Sequence, residues 1–202
     1  MSESRAPGAA AVVIRPPRTA AELVAELERA AAAADDFWRQ FEIHEFFAPI
    51  GRAWSPADNV RHLAKSTRPV ASALRLPAIV VRAMFGGAER PSRDYPRLVA
   101  DYRAALAAGG DAGRYAPRPL TGELEPSVER ERILAAKRTA DVELVARAGR
   151  WRERALDRAV LPHPLLGKLT VREMLFFTLY HGAHHVANVE RRLAATARPS
   201  RG

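Results

Sequence analysis

Apolar positions recur along most of this chain with the 3.6-residue period of amphipathic helices, and Pro and Gly clusters divide them into four long segments. The first opens at Thr19-Ala20-Ala21-Glu22, where Thr and Glu three apart form a capping box, and carries Leu23, Leu27, Ala30, Ala34, Phe37 and Phe41 on one face to about Glu45. The second starts at Ser55, with Pro56 in the first helical position and Asp58 at the positive helix start. It runs to about Leu76 with its apolar row on Val60, Leu63, Thr67, Val70, Ala71 and Leu74, and Pro69 predicts a kink. A third is predicted from Pro126 to about Ala159, carrying Val128, Leu134, Val142, Val145 and Leu156. The fourth opens at a second capping box, Thr170-Val171-Arg172-Glu173, and ends before Pro199.

Between Pro77 and Pro126 the periodicity breaks up among Gly and Pro residues, with one shorter helix from about Tyr95 to Ala108. A long irregular insertion of this kind suits a lid or pocket wall better than a core. No segment shows the two-residue period of a strand, and no internal repeat, P-loop or dinucleotide fingerprint is present. The pattern predicts an all-α four-helix bundle with its insertion between the second and third long helices. Residues 1–18, small, polar and Pro-rich, read as a disordered tail, and 19–197 as a single domain. At 202 residues and 48% hydrophobic, the chain has enough apolar material for one sizeable core.

Three of the six histidines fall within five residues of the last helix, in Tyr180-His181-Gly182-Ala183-His184-His185-Val186-Ala187-Asn188. Side chains four apart share a helix face, so His181 and His185 can offer two imidazoles to one ion. Both lie within the stripe through Met174, Leu175, Thr178, Val186 and Val189 and should point inward, whereas His184, about 100° around from His185, belongs at the rim. Gly182 removes a side chain beside the pair and leaves room for an ion. The plain alternative is a set of satisfied core histidines. His62, two turns into the second helix and level with Asn59 and Ser66, is the best third ligand; His44 and His163 compete with it.

The Trp54-Ser55-Pro56 helix start followed by His62-Leu63, then His163-Pro164-Leu165-Leu166-Gly167-Lys168-Leu169-Thr170 leading into His181-Gly182-Ala183-His184-His185, resembles the DinB-like (DinB/YfiT) superfamily of metal-binding four-helix bundles, over roughly Phe37 to Leu193. The resemblance implies a divalent metal, zinc or nickel, held by His62, His181 and His185, with His184 and Asn188 around the pocket; the family often has Gln where this chain has Asn188. It further implies a homodimer and an enzyme that activates a low-molecular-weight thiol on the metal, as an S-transferase or isomerase acting on a small molecule. Hydrolysis by a metal-bound water is the alternative, with Glu45, Asp58 or Glu173 as candidate general bases. A non-enzymatic metal-binding bundle is the third reading.

Charge and composition narrow this further. The formal net charge is +9, yet all but Lys65, Lys137 and Lys168 of the 32 basic residues are arginines spread from Arg5 to Arg201. Around the third helix they alternate with Glu129, Glu131 and Glu143, as on a solvated face rather than a phosphate track. No nucleic-acid partner is expected. The absence of cysteine excludes thiolate ligands, disulfides and a cysteine nucleophile. No apolar run is long enough for a membrane span or a signal segment, so a cytoplasmic location is expected.

Overall fold

The computed structural model describes residues 12–196. Four long helices form the bundle: α1 (Ala20–Arg39), α3 (Pro56–Ala73), α6 (Pro126–Ala148) and α8 (Val171–Thr196). α1 and α3 each pack against both α6 and α8, so the four close a ring around one apolar core. Its largest fully buried side chains include Trp38, Phe37, Leu63, Leu134, Leu144 and Leu175. Among the described residues no helix is long and apolar enough to cross a membrane.

Helix starts follow local chemistry. Thr19 Oγ1 accepts from the Glu22 backbone N–H at 3.2 Å while Glu22 accepts from Thr19 N, and Ser55 Oγ accepts from Asp58 N at 3.1 Å. Thr170 and Glu173 cap α8 in the same reciprocal way, at 3.2 and 3.0 Å. Helix ends differ from the sequence expectation. α1 stops at Arg39 rather than near Glu45, because the Arg130 guanidinium from α6 donates to the carbonyls of Arg39 (2.6 Å) and Phe41 (3.1 Å), supplying the partners that another helical turn would have given. The short α2 (Ile43–Phe47) then restarts with a capping box between Glu42 and Glu45. α6 stops at Ala148 rather than Ala159, where Trp151 turns inward and its indole N–H donates to the Leu74 carbonyl at the end of α3, 3.2 Å away. Its buried face is Ile133, Leu134, Ala140, Leu144 and Ala148; Val128 and Val142, placed on the apolar face by the sequence, are 55% and 62% exposed. Pro69 does not end α3, which continues to Ala73.

Two strands stand where none was expected. After α7 (Glu153–Leu156), β1 (Val160–His163) and β2 (Gly167–Thr170) pair antiparallel from Val160↔Thr170 to His163↔Gly167. Pro162 and Pro164 hide the two-residue period, and Gly167 takes φ +70 as the hairpin turns back. The expected tail also differs. Residues 12–18 lie against α1: Val12 is in the core, the Arg15 N–H donates to Glu26 (2.7 Å), and Arg29 reaches the Val13 carbonyl. Residues 1–11 of that tail and residue 197 lie outside the described residues.

The insertion between α3 and α6 holds α4 (Ala78–Phe85), α5 (Tyr95–Ala107) and a 3-10 turn (Gly113–Tyr115). Its anchor is Glu173, with no exposed surface. That carboxylate accepts from Arg90 (2.6 and 3.0 Å), Arg93 Nε (2.9 Å) and the backbone N–H groups of Arg93 (2.7 Å) and Thr170 (3.0 Å). Burial alone would raise its pKa, but these donors together hold it down at about 2. Beyond this anchor α5 packs along α8, and the 3-10 turn packs on α3, where Lys65 Nζ donates to the Ala116 carbonyl at 3.1 Å.

Candidate metal centre

α3 and α8 face each other so that His62 meets His181 and His185 from across the bundle. His62 Nε2 lies 3.0 Å from His181 Nε2, which lies 3.1 Å from His185 Nε2. The three ligand atoms fall within 4.8 Å of one another and can hold one metal ion. His62 and His181 are each only 4% exposed. His62 sat on the flank of its apolar row, and that flank is buried because α8 and the insertion cover it.

The other nitrogen of each ring decides what faces the centre. His62 Nδ1 is 3.0 Å from the Tyr115 carbonyl, which can only accept, so Nδ1 carries the proton. His185 Nδ1 is 2.7 Å from Asn59 Oδ1. The Asn59 orientation is itself fixed, because its amide nitrogen donates to the carbonyls of Ser55 (2.8 Å) and Trp54 (3.4 Å). His181 Nδ1 faces Ser66 Oγ at 3.5 Å; that hydroxyl gives its hydrogen to the Leu63 carbonyl (3.0 Å) and offers His181 a lone pair. All three Nε2 atoms therefore turn lone pairs toward one point with no proton assigned between them. Such a set is repulsive alone and complementary to a cation. Burial, and after it the neighbouring imidazoles, holds His181 and His185 well below the ordinary histidine range. Burial lowers His62 as well. The rings are thus in the neutral form that binds metal.

Aromatic rings brace the trio. Trp54 stacks on His185 at 6.2 Å and 10°, and Phe177 stacks on His181 at 4.9 Å and 22°. The centre opens onto a cavity of about 510 Å³, whose apolar lining includes Phe85, Leu106, Leu165 and Met174. Arg52, Arg114 and Arg192 also line it, and among the described residues Asp111 is the single carboxylate to do so. That is within the usual range for a small-molecule site.

The remaining sequence candidates separate cleanly. His184 lines the cavity without joining the trio: its Nε2 accepts from Asn188 Nδ2 at 2.8 Å, and its Nδ1 lies 3.3 Å from the Tyr180 hydroxyl. Asn188 lines the cavity too, with its carbonyl engaged by Arg191. His163 is buried in the cavity wall, and His44 is exposed on α2. Glu45, Asp58 and Glu173 do not line the cavity and are committed to caps and ion pairs. Gly182 does not make room for the ion. It faces away, onto a void of about 40 Å³ shared with Leu27, Thr67 and Thr178.

Asn59, Ser66 and the Tyr115 carbonyl are the partners that sequence reading did not assign. Asn59 and Ser66 share the helical row of His62 and were open to that inference; a backbone carbonyl from a distant turn leaves no side-chain signal.

Comparison with known proteins supports the same architecture. The sequence model of the DinB superfamily matches residues 26–189. A crystal structure described as "TT2238, a four-helix bundle protein" matches with TM-score 0.52 and 23% identity, over 86% of this chain and 99% of that one, which is a likeness of fold. None of the curated proteins matches the chain.

Proposed function

The chain belongs to the DinB superfamily, and on that premise we propose that it is a metal-dependent enzyme: His62, His181 and His185 hold a divalent ion, zinc or nickel, and a small thiol is activated there for transfer to an electrophile. The observation that carries this reading is the convergence of three Nε2 atoms whose Nδ1 atoms each face an oxygen. A divalent ion on three neutral imidazoles keeps a coordination position open and lowers the pKa of a thiol or water bound there.

The chain's own residues supply the rest. Asn59, Ser66 and Tyr115 orient the rings, and Trp54 and Phe177 hold them against rotation. The apolar lining displaces water from the reacting groups. Arg52, Arg114 and Arg192, with Asp111 the one carboxylate beside them among the described lining residues, favour a ligand that brings negative charge, as the carboxylates of small cellular thiols do. The hydrolytic reading is weaker, because Glu45, Asp58 and Glu173 are engaged elsewhere.

Elemental analysis of the purified full-length protein comes first, with about one divalent ion per chain expected. Metal-loaded protein is then assayed against low-molecular-weight thiols paired with electrophiles, beside ester and amide substrates. Turnover of the thiol panel that vanishes in His185→Ala supports the reading. Stoichiometric metal with ester or amide turnover alone replaces it with hydrolysis, and absence of bound metal sinks both.

A further inference from the structure

The cavity carries a second set of polar groups that the histidine trio does not use. Tyr102 of α5 and His163 of β1 both line it, and they are only 6% and 7% exposed. Their rings meet edge to face at 6.1 Å, so they share one stretch of wall. Phe177 lies between His163 and the trio, 4.2 Å from His163 on one side and stacked on His181 on the other.

The hairpin fixes the tautomer of His163. The backbone N–H groups of Leu165 and Leu166 donate to His163 Nδ1 at 3.2 and 3.1 Å, so Nδ1 carries the lone pair and the proton of the neutral ring sits on Nε2. Burial pushes His163 down to about 4 and Tyr102 up to about 12, which leaves both rings uncharged around neutral pH. Among the described residues neither His163 Nε2 nor the Tyr102 hydroxyl has a hydrogen-bond partner. Neither belongs to the fully enclosed unpartnered atoms, which are Trp38 Nε1, Arg130 Nε and Arg172 Nη1. Both atoms therefore keep some accessible surface, and both residues line the cavity. Buried donors are nearly always satisfied in folded proteins, so an unfilled pair in a cavity wall marks where a ligand acceptor belongs.

We propose that Tyr102 and His163 form a ligand subsite separate from the metal centre, where the Tyr102 hydroxyl and the His163 Nε2–H donate to the carbonyl oxygen of an otherwise apolar ligand. The locked tautomer explains the choice of acceptor, since His163 Nε2 donates and cannot accept. Neutral donors among apolar walls suit an uncharged carbonyl, whereas carboxylates are better served by the arginines. This subsite shares its cavity with the proposed enzyme centre, but its donors are in place whether or not an ion is bound.

The test uses the full-length protein, both zinc-loaded and chelator-stripped, with acetophenone as the carbonyl probe and ethylbenzene as its counterpart without the oxygen. Binding is followed by NMR titration. Acetophenone is expected to bind more tightly than ethylbenzene in both forms. Tyr102→Phe and His163→Asn should each weaken acetophenone by about three- to tenfold, the worth of one neutral hydrogen bond, and leave ethylbenzene unchanged. Asparagine at 163 keeps an acceptor near the Nδ1 position for the two turn N–H groups and has no donor at the Nε2 position; if it fails to fold, Tyr102→Phe and the ring nitrogen shifts of His163 decide. Equal affinity for the two probes in the wild type overturns the proposal, as does a proton found on Nδ1. A preference confined to the zinc-loaded form assigns the carbonyl to the metal, overturning the subsite while leaving the metal centre standing. Failure of metal to bind, with the preference intact in stripped protein, separates the opposite way.

Discussion

Asn59→Ala isolates the contribution of a residue that touches the metal centre only through another side chain. Asn59 Oδ1 accepts from His185 Nδ1 at 2.7 Å, and its amide is pinned by two backbone carbonyls. Without it the His185 Nδ1–H has no acceptor. In the metal-free protein the ring can escape by moving its proton to Nε2, toward His181 Nε2 at 3.1 Å. Metal binding forbids that escape, because Nε2 must present its lone pair, so the penalty appears as lost affinity. A buried unsatisfied donor costs ~1–3 kcal/mol, and removal of such a partner typically lowers metal affinity ~10–100-fold, equivalent to ~1.4–2.7 kcal/mol. The ranges overlap near ~2 kcal/mol, or roughly thirtyfold. Zinc competition against a chromophoric chelator measures this directly. Asn59→Asp is the informative companion. Its carboxylate still accepts from His185, so zinc affinity is expected to hold or rise, but its second oxygen then faces the carbonyls of Ser55 and Trp54. The melting temperature should fall. Zinc affinity within twofold of wild type for Asn59→Ala would show that the hydrogen bond does not orient the ligand, and the reasoning would fail.

Three further outcomes are expected. His185→Ala should lose bound metal while His184→Ala retains it by elemental analysis, because helical phase puts His184 against Asn188 and Tyr180; the reverse result would rebuild the ligand set around His184. Gly182→Ala should stabilise the fold by up to ~1 kcal/mol in urea titration, because a Cβ there meets nothing within 4 Å, and should leave metal affinity unchanged; destabilisation would mean the void is not free. Metal-free protein should lose stability on acidification. The folded-state pKa values of His62, His163, His181 and His185 lie below the ordinary value of 6.5, so between the two the unfolded chain binds more protons. Stability then falls as pH drops below about 6.5, by ~1.4 kcal/mol per pH unit for each histidine that stays neutral, and for His163 down to about 4. A flat stability profile from pH 7 to 5 would contradict the buried, neutral state of these rings.

What the sequence determined by itself was whatever depends on near neighbours. The capping boxes at Thr19 and Thr170, the Ser55 cap and the apolar row of α3 are short-range, so they were legible and the structure shows them. The pairing of His181 with His185 follows from the pitch of one helix. Tertiary structure decided where helices stop, because groups that satisfy their last carbonyls come from elsewhere: Arg130 for α1, and Trp151, from the turn after α6, for the Leu74 carbonyl at the end of α3. It decided that Val128 and Val142 face solvent, which depends on how α6 is rotated against its neighbours. It made a hairpin of a Pro-containing stretch and used that turn to fix a tautomer. Juxtaposition of His62 with His181 across 119 positions, and of the Tyr115 carbonyl with His62, exists only once the bundle closes and Glu173 anchors the insertion. A sequence specifies which side chains can do chemistry; the packing of distant segments decides which nitrogen of each ring is free to do it.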